Sequence, residues 1–199
     1  MSSSLRLSGL GRDGNRLFFR RFVKDPLRTG AQIPSSAALA RAMVRTLDPA
    51  RPGGVVELGP GTGVVTHALI ERGFAPDRIV ALEIAPEFAS FLRSAFPGLL
   101  VRLDSAFELE RHLADLPFEG VQAVVSSLPL LTQPVALRQG LLRTALFDRH
   151  APAAEFIQFT YFFRPPVTDL GPSVVVDRTA FVPWNVYPAT VWRYRRASG

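Results

Sequence analysis

The chain has no cysteine, three histidines and a single lysine, Lys24. Without cysteine there is no disulfide framework, and nothing in the sequence argues for export. With Lys24 as the sole lysine and no Gly-Lys-Ser/Thr triplet, there is no Walker phosphate loop. No apolar run approaches the roughly 18 residues of a membrane-spanning helix, so the sequence does not read as an integral membrane protein. Its start, Met1-Ser2-Ser3-Ser4, lacks the apolar core of a signal peptide, and the expectation is a cytoplasmic protein. What abounds is arginine. The 23 basic residues against 17 acidic ones give a net charge of +6, and a pI near 10.9 favours anionic partners, either nucleic acid or an acidic lipid surface. At 199 residues and 47% hydrophobic, the chain can bury one sizeable core.

The most informative stretch is Val55-Val56-Glu57-Leu58-Gly59-Pro60-Gly61-Thr62-Gly63, followed one strand later by Ala81-Leu82-Glu83. A β-branched pair feeds an acid, glycines alternate with other residues, and a helical pattern begins at Val64. A buried strand, a tight turn and a helix start, in that order, form the place where open α/β sheets hold a nucleoside cofactor. Glu83 ends the next apolar run, where a carboxylate can accept both hydroxyls of a ribose; the alternative is a solvated strand end. A dinucleotide fingerprint would need a small residue where Val64 stands, because the third glycine arrives one position early, at Gly63. The spacing Glu-x-Gly-x-Gly-x-Gly instead resembles motif I of the S-adenosylmethionine-dependent methyltransferases. That resemblance implies a loop of Gly59, Gly61, Thr62 and Gly63 passing under the amino-acid part of the cofactor, with Glu57 beside it.

Strand and helix patterns alternate through most of the chain. Strands are predicted at 55–59, 79–83, 99–103 and 121–126, with helices at 37–47, 64–72, from Pro86 to the Pro97-Gly98 stop, through Leu109 and Leu113, and from Pro134 to Ala145. This alternation argues for a parallel sheet with helices on both faces. The last fifty residues are β-rich, with strand-like segments at 155–163, 174–176, 181–182 and 190–194, and they predict an antiparallel closing edge. The division expected is a basic amphipathic extension over residues 1–30 and an α/β domain over 31–199.

Ligands of such sheets lie at the carboxyl ends of the strands. Asp104 ends the third strand and can accept from an adenine amino group or cap the segment that follows; the Ser105 and Ala106 backbone can address the ring edge, and Ile84 its face. Ser126 and Ser127 end the fourth strand. Upstream, Ser35 or Ser36 caps a helix, with Gln32 just ahead of it.

Glu-Leu-Gly-Pro-Gly-Thr-Gly, Glu83, Asp104-Ser105-Ala106 and Ser127-Leu128-Pro129-Leu130 together resemble the ribosomal RNA adenine dimethyltransferases and the bacterial phospholipid N-methyltransferases that act on phosphatidylethanolamine. The resemblance runs from about Gln32 to the C-terminus. It implies a Rossmann-like class I methyltransferase fold, S-adenosyl-L-methionine as cofactor with S-adenosyl-L-homocysteine as product, and Gln32 close to that cofactor. The fourth motif separates the two families. Adenine methyltransferases carry Asn/Asp-x-Pro-aromatic there, an acceptor for the exocyclic amine and a platform for the flipped base. Here those positions hold Ser127 and Leu130, which suits a small aliphatic amine better than a base. The RNA enzymes usually add a helical C-terminal domain, and the expectation here is a chain without one.

Residues 5–28 interleave arginines with leucines and phenylalanines. As a helix, this segment would stack Arg16, Arg20 and Lys24 beside rows containing Phe18, Phe19 and Phe22, a pattern for docking on an anionic membrane; packing on its own core and an RNA-contact arm are the alternatives. Methyl transfer to an amine is a direct displacement and needs no metal. The candidate amine contacts are the Ser126 and Ser127 hydroxyls, the carbonyl of Ser127 or Leu128, and Tyr161 or Tyr187. A methylated ammonium is well held by aromatic faces, which points to the turn Trp184-Asn185-Val186-Tyr187-Pro188, and a headgroup phosphate calls for Arg164, Arg178 or Arg193. The expectation is a phosphatidylethanolamine N-methyltransferase, peripheral to the inner face of the cytoplasmic membrane, with a phospholipid substrate and no obligatory nucleic-acid or protein partner. An RNA adenine methyltransferase and a non-catalytic lipid or RNA adaptor are the competing readings.

Overall fold

The computed structural model describes residues 36–150, 152–161, 163–185 and 187–197. The N-terminal segment with Arg16, Phe18, Phe19, Arg20, Phe22 and Lys24, together with Gln32 and Ser35, lies outside the described residues.

Seven strands form one sheet: β1 Gly54–Leu58, β2 Ile79–Glu83, β3 Leu100–Leu103, β4 Val121–Ser126, β5 Ala153–Thr160, β6 Val174–Val182 and β7 Ala189–Arg196. Their order is β3-β2-β1-β4-β5-β7-β6. Strands β1 to β5 run parallel, and β7 lies antiparallel between β5 and β6. The sheet is thus the mostly parallel one with an antiparallel C-terminal hairpin that the alternation predicts. Helices α1 Ala37–Val44, α2 Val64–Arg72 and α3 Pro86–Ala95 pack on one face, and α4 Leu109–Leu113 and α5 Val135–Phe147 on the other. Because both faces are covered, β1, β2 and β4 are buried from end to end and are apolar at most positions rather than alternating, with Glu57, Glu83, Gln122 and Ser126 as their buried polar members.

Local chemistry sets the element ends. Ser36 is the α1 cap, its Oγ accepting from the Leu39 N–H at 3.1 Å. The helix stops at Val44, three residues before the predicted end, although Leu47 remains buried in the turn that follows. Pro86 opens α3, where its missing N–H has no helical partner to lose. The two β-rich pieces at 174–176 and 181–182 are one strand with a register shift between Arg178 and Ala180. Polar Asp177 and Arg178 interrupt the apolar pattern because β6 is a sheet edge, where charge blunts further pairing.

Strand order reverses between β1 and β4, so the connections after these strands part to opposite faces and open a crevice at their carboxyl ends. Gly63 lies on that crevice with φ +76°, and a Cβ there would sit 2.5 Å from Phe96 Cε2 and 2.9 Å from Leu92 Cδ2. Left-handed strain and overpacking act together at this position, so Gly63→Ala is expected to destabilise the fold by about 2–4 kcal/mol, read as a lower urea midpoint.

Candidate active site

Two buried carboxylates organise the glycine loop. Glu83, 5% exposed at the end of β2, accepts from the Gly61 N–H at 3.0 Å through Oε2 and from the Ala85 N–H at 2.9 Å through Oε1. Each oxygen keeps a further lone pair for a ligand hydroxyl. Glu57 is wholly buried at the end of β1, and its Oε2 accepts from Thr66 Oγ1 at 2.7 Å. Its Oε1 has no partner among the described residues. Burial pushes the Glu57 carboxyl up to about 7, opposed by the Thr66 hydrogen bonds and aided by the nearby Glu83 charge. The N-cap of α2 is Gly63, which has no side chain to cap with, so apart from Thr66, whose backbone bonds to Glu57, no capping acceptor meets the first turn. Beneath one loop, then, lie an uncapped helix start suited to an anion and an orphaned carboxylate suited to a cation. Thr62 is half-buried in that loop, while Ile84 stands 71% exposed just past Glu83 and offers an apolar face.

Across the crevice, the Ser127 N–H donates to the Leu58 carbonyl at 2.9 Å, which binds the loop after β4 to the end of β1. Gly59, at φ +66°, permits this approach: a Cβ on it would lie 2.8 Å from Leu128 Cδ2. The Leu128 carbonyl accepts from both the Leu130 N–H at 2.9 Å and Gln158 Nε2 at 3.0 Å. Both of its lone pairs are used, so the Leu128 carbonyl has none left for an amine, whereas the Ser127 carbonyl accepts nothing among the described residues. Ser126 is buried and its Oγ accepts from the Leu128 N–H at 3.4 Å, so it supports the loop from below. Leu130 is 1% exposed, a member of the core on the α5 face.

Asp104 is more heavily engaged than its sequence position suggests. Its Oδ1 accepts from the Ser105 N–H at 2.8 Å, and its Oδ2 meets Arg111 Nη2 and His112 Nε2, the latter at 2.9 Å. The other nitrogen of His112 lies 3.1 Å from Arg102 Nη1. Burial and the charges of Arg102 and Arg111 push the His112 imidazole down. A neutral ring that accepts from Arg102 at Nδ1 and donates to Asp104 at Nε2 satisfies both contacts. Asp104 therefore caps no helix. Ser105 does so, accepting from the Phe107 N–H at 3.2 Å, while the Ala106 side chain is buried.

The aromatic and arginine candidates divide. The Tyr161 and Tyr187 rings meet edge to face, with centroids 5.9 Å apart, and Phe159 backs Tyr161 at 5.4 Å. Burial, and then Tyr187, push the Tyr161 phenol up, which keeps it a neutral hydroxyl. Trp184 is 90% exposed, too open to form one wall of a cage. The Asn185 side chain is occupied structurally: Oδ1 accepts from the Ser36 N–H at 3.0 Å, and Nδ2 donates to the Tyr187 carbonyl at 3.1 Å. Arg193 is committed to Glu155 and Asp177, each at 3.2 Å, in mid-strand and away from the carboxyl edge, so it is withdrawn as a phosphate contact. Arg164 and Arg178 remain exposed. Thr66, His112 and Gln158 carry the site's supporting bonds without belonging to any motif; only a polar residue inside an apolar run hinted at Gln158. Among the described residues, no three His, Asp or Glu side chains gather as metal ligands, and no helix is long and apolar enough to cross a membrane.

No protein-family model matches the sequence. The chain is similar to an ornithine lipid N-methyltransferase of Singulisphaera acidiphila, 33% identical over 147 residues that make up 72% of this chain and 76% of that protein. It is also similar to the ribosomal RNA small subunit methyltransferase A of Kineococcus radiotolerans, 34% identical over 145 residues, 66% of this chain and 47% of that one. It thus spans about half the length of the ribosomal RNA relative. Among solved structures, TrmN from Thermus thermophilus shares the fold at a TM-score of 0.61 and 21% identity, over 81% of this chain and 49% of that one.

The raised Glu57 value fixes the sign of a pH effect. A carboxyl that titrates near 7 when folded and near 4.5 when unfolded takes up a proton on folding between those values, so its ionisation costs stability as pH rises through that window. Glu57→Gln removes the titration. Its urea midpoint is expected to gain on the parent's as pH rises from 5 to 8, and a pH-independent difference would contradict the assignment.

Proposed function

Because this chain belongs to the S-adenosylmethionine-dependent methyltransferases, in the family of the ornithine lipid N-methyltransferase, we propose that it methylates the primary amine of a membrane lipid, with phosphatidylethanolamine as acceptor and successive transfers toward phosphatidylcholine. S-adenosyl-L-methionine is the cofactor. The crevice fits it: the uncapped α2 start suits its carboxylate, the orphaned Glu57 oxygen its ammonium, Glu83 the ribose hydroxyls and Ile84 the adenine face. Bound there, it supplies an electrophilic methyl group on a positive sulfonium.

The observation that carries the acceptor class is the loop after β4. A flipped base needs an amide or carboxylate acceptor and an aromatic platform. This loop has Ser127 at the first position, and the side chain at the second, Leu130, is sealed in the core. An aliphatic amine needs only an acceptor and alignment, and the Ser127 carbonyl supplies the acceptor. Ser127 draws the amine N–H into line, and the Ser127 hydroxyl and Tyr161 are polar neighbours at the ends of the adjacent strands β4 and β5. A primary ammonium titrates near 10, in the manner of lysine, so it must lose its proton before it attacks. Desolvation in the crevice lowers that value, and no strong base is required. The exposed Arg164, just past β5, suits the headgroup phosphate, whereas Arg178 shares the mid-strand level of Arg193, and the Tyr161–Tyr187 pair suits a methylated ammonium. On this reading the enzyme works at the inner face of the cytoplasmic membrane, the basic segment around Arg16, Arg20 and Lys24 attracts anionic lipid, and neither nucleic acid nor a protein partner is obligatory.

Gln158 acts as a positioning residue. Its Nε2 holds the Leu128 carbonyl and so fixes the orientation of the neighbouring Ser127 carbonyl. Gln158→Leu is expected to lower kcat roughly 10- to 100-fold while leaving the Kd for S-adenosylhomocysteine unchanged, as displaced alignment rather than lost cofactor binding requires. Equal losses in both would make Gln158 a general structural support. Methyl transfer from radiolabelled S-adenosylmethionine, run in parallel on phosphatidylethanolamine vesicles, ornithine-lipid vesicles and unmodified ribosomal RNA, tests the acceptor. Label in methylated phosphatidylethanolamine is the expected result. Label confined to ornithine lipid keeps the class and moves the acceptor, and label in RNA overturns the reading of Ser127 and Leu130.

A further inference from the structure

Exposed apolar surface is distributed very unevenly over this molecule. Of the eleven large hydrophobic side chains exposed among the described residues, all but Phe147 lie at the carboxyl edge of the parallel strands. Leu131 and Val135 occupy the loop and first helical turn after β4, Phe163 follows β5, and Phe181 and Trp184 sit at the tip of the β6–β7 hairpin. These segments meet. The Phe163 and Phe181 rings are 5.5 Å apart, and Arg138 near the start of α5 donates to the Pro166 carbonyl at 2.7 Å, holding the segment after Phe163 against the helix. The result is an apolar rim on both sides of the Ser127 loop.

Exposed apolar side chains gathered at one edge of the sheet mark a contact surface. Its composition identifies the contact: tryptophan at the most exposed position, phenylalanine and tyrosine among the other exposed side chains, and the exposed Arg164 next to Phe163 match the aromatic and cationic layer of a membrane interface. Location agrees. If the acceptor is a lipid amine, its acyl chains resist transfer into water methylene by methylene, so the mouth of the site has to meet the bilayer. We propose that the carboxyl edge seats directly on an anionic bilayer through this rim, with the Phe163–Phe181 pair and Trp184 entering the interface, so that the headgroup reaches Ser127 while its chains stay in the membrane. The proposal rests on the lipid-amine reading above. It assigns docking to the mouth itself, in addition to any basic N-terminal segment.

Tryptophan fluorescence tests it. The protein has two tryptophans, and Trp192 is buried with its Nε1–H donated to Thr160 Oγ1 at 2.9 Å. In a Trp192→Phe background, mixed phosphatidylethanolamine and phosphatidylglycerol vesicles should shift Trp184 emission to the blue, and bromine-labelled acyl chains should quench it. Phe163→Ser with Phe181→Ser should weaken vesicle partitioning about tenfold, while Phe147→Ser, at the far end of α5, should leave it unchanged. The double variant should keep turnover on detergent-dispersed lipid. Vesicle-bound protein with unquenched Trp184, absence of vesicle binding, or a Phe147→Ser loss equal to that of the double variant would each overturn the rim. Quenching without methyl transfer to any dispersed lipid amine would leave the rim standing and refute the acceptor instead.

Discussion

The reversal of strand order between β1 and β4 is the constraint on which the site depends. It places the Ser127 N–H on the Leu58 carbonyl and Leu128 against Gly59, so the cofactor loop and the acceptor loop are built on neighbouring strands of one rigid sheet. Burial of β1, β2 and β4 on both faces makes that platform stiff, since side chains close-packed from two sides leave little freedom for the strand ends. A methyl transfer that relies on alignment needs such a platform.

Charge in the crevice is arranged by burial. The Glu83 carboxylate accepts from backbone N–H groups that simultaneously shape the glycine loop, whereas Glu57 is left with one oxygen unsatisfied among the described residues. The second arrangement is unfavourable for the empty fold and favourable for binding a cation, a common trade at functional sites. Arg102, His112, Asp104 and Arg111 form a separate network after β3, which fixes the Asp104 carboxylate before any ligand arrives.

The legible parts of this chain share one property: their signal is local. Glycine spacing, β-branched runs and Pro86 at a helix start each follow from neighbouring residues, and the sheet class and the Glu57 to Gly63 loop could be read from them. The illegible parts involve distant partners. Leu128 offered its carbonyl as readily as Ser127 did until Gln158, thirty residues away, was seen to occupy it. Arg193 and Asn185 looked free in a basic, aromatic terminus, yet Glu155, Asp177 and Ser36 claim them across the sheet.

By itself the sequence determined the α/β class, the cofactor loop and the absence of a base platform after the fourth strand, because each is written in the identity and spacing of adjacent residues. Only the tertiary structure decided which carbonyl is free, which carboxylate oxygen is orphaned and that the exposed aromatics ring a single mouth. Those outcomes depend on which long-range hydrogen bonds and contacts each group makes in the folded chain, and sequence adjacency does not encode that competition.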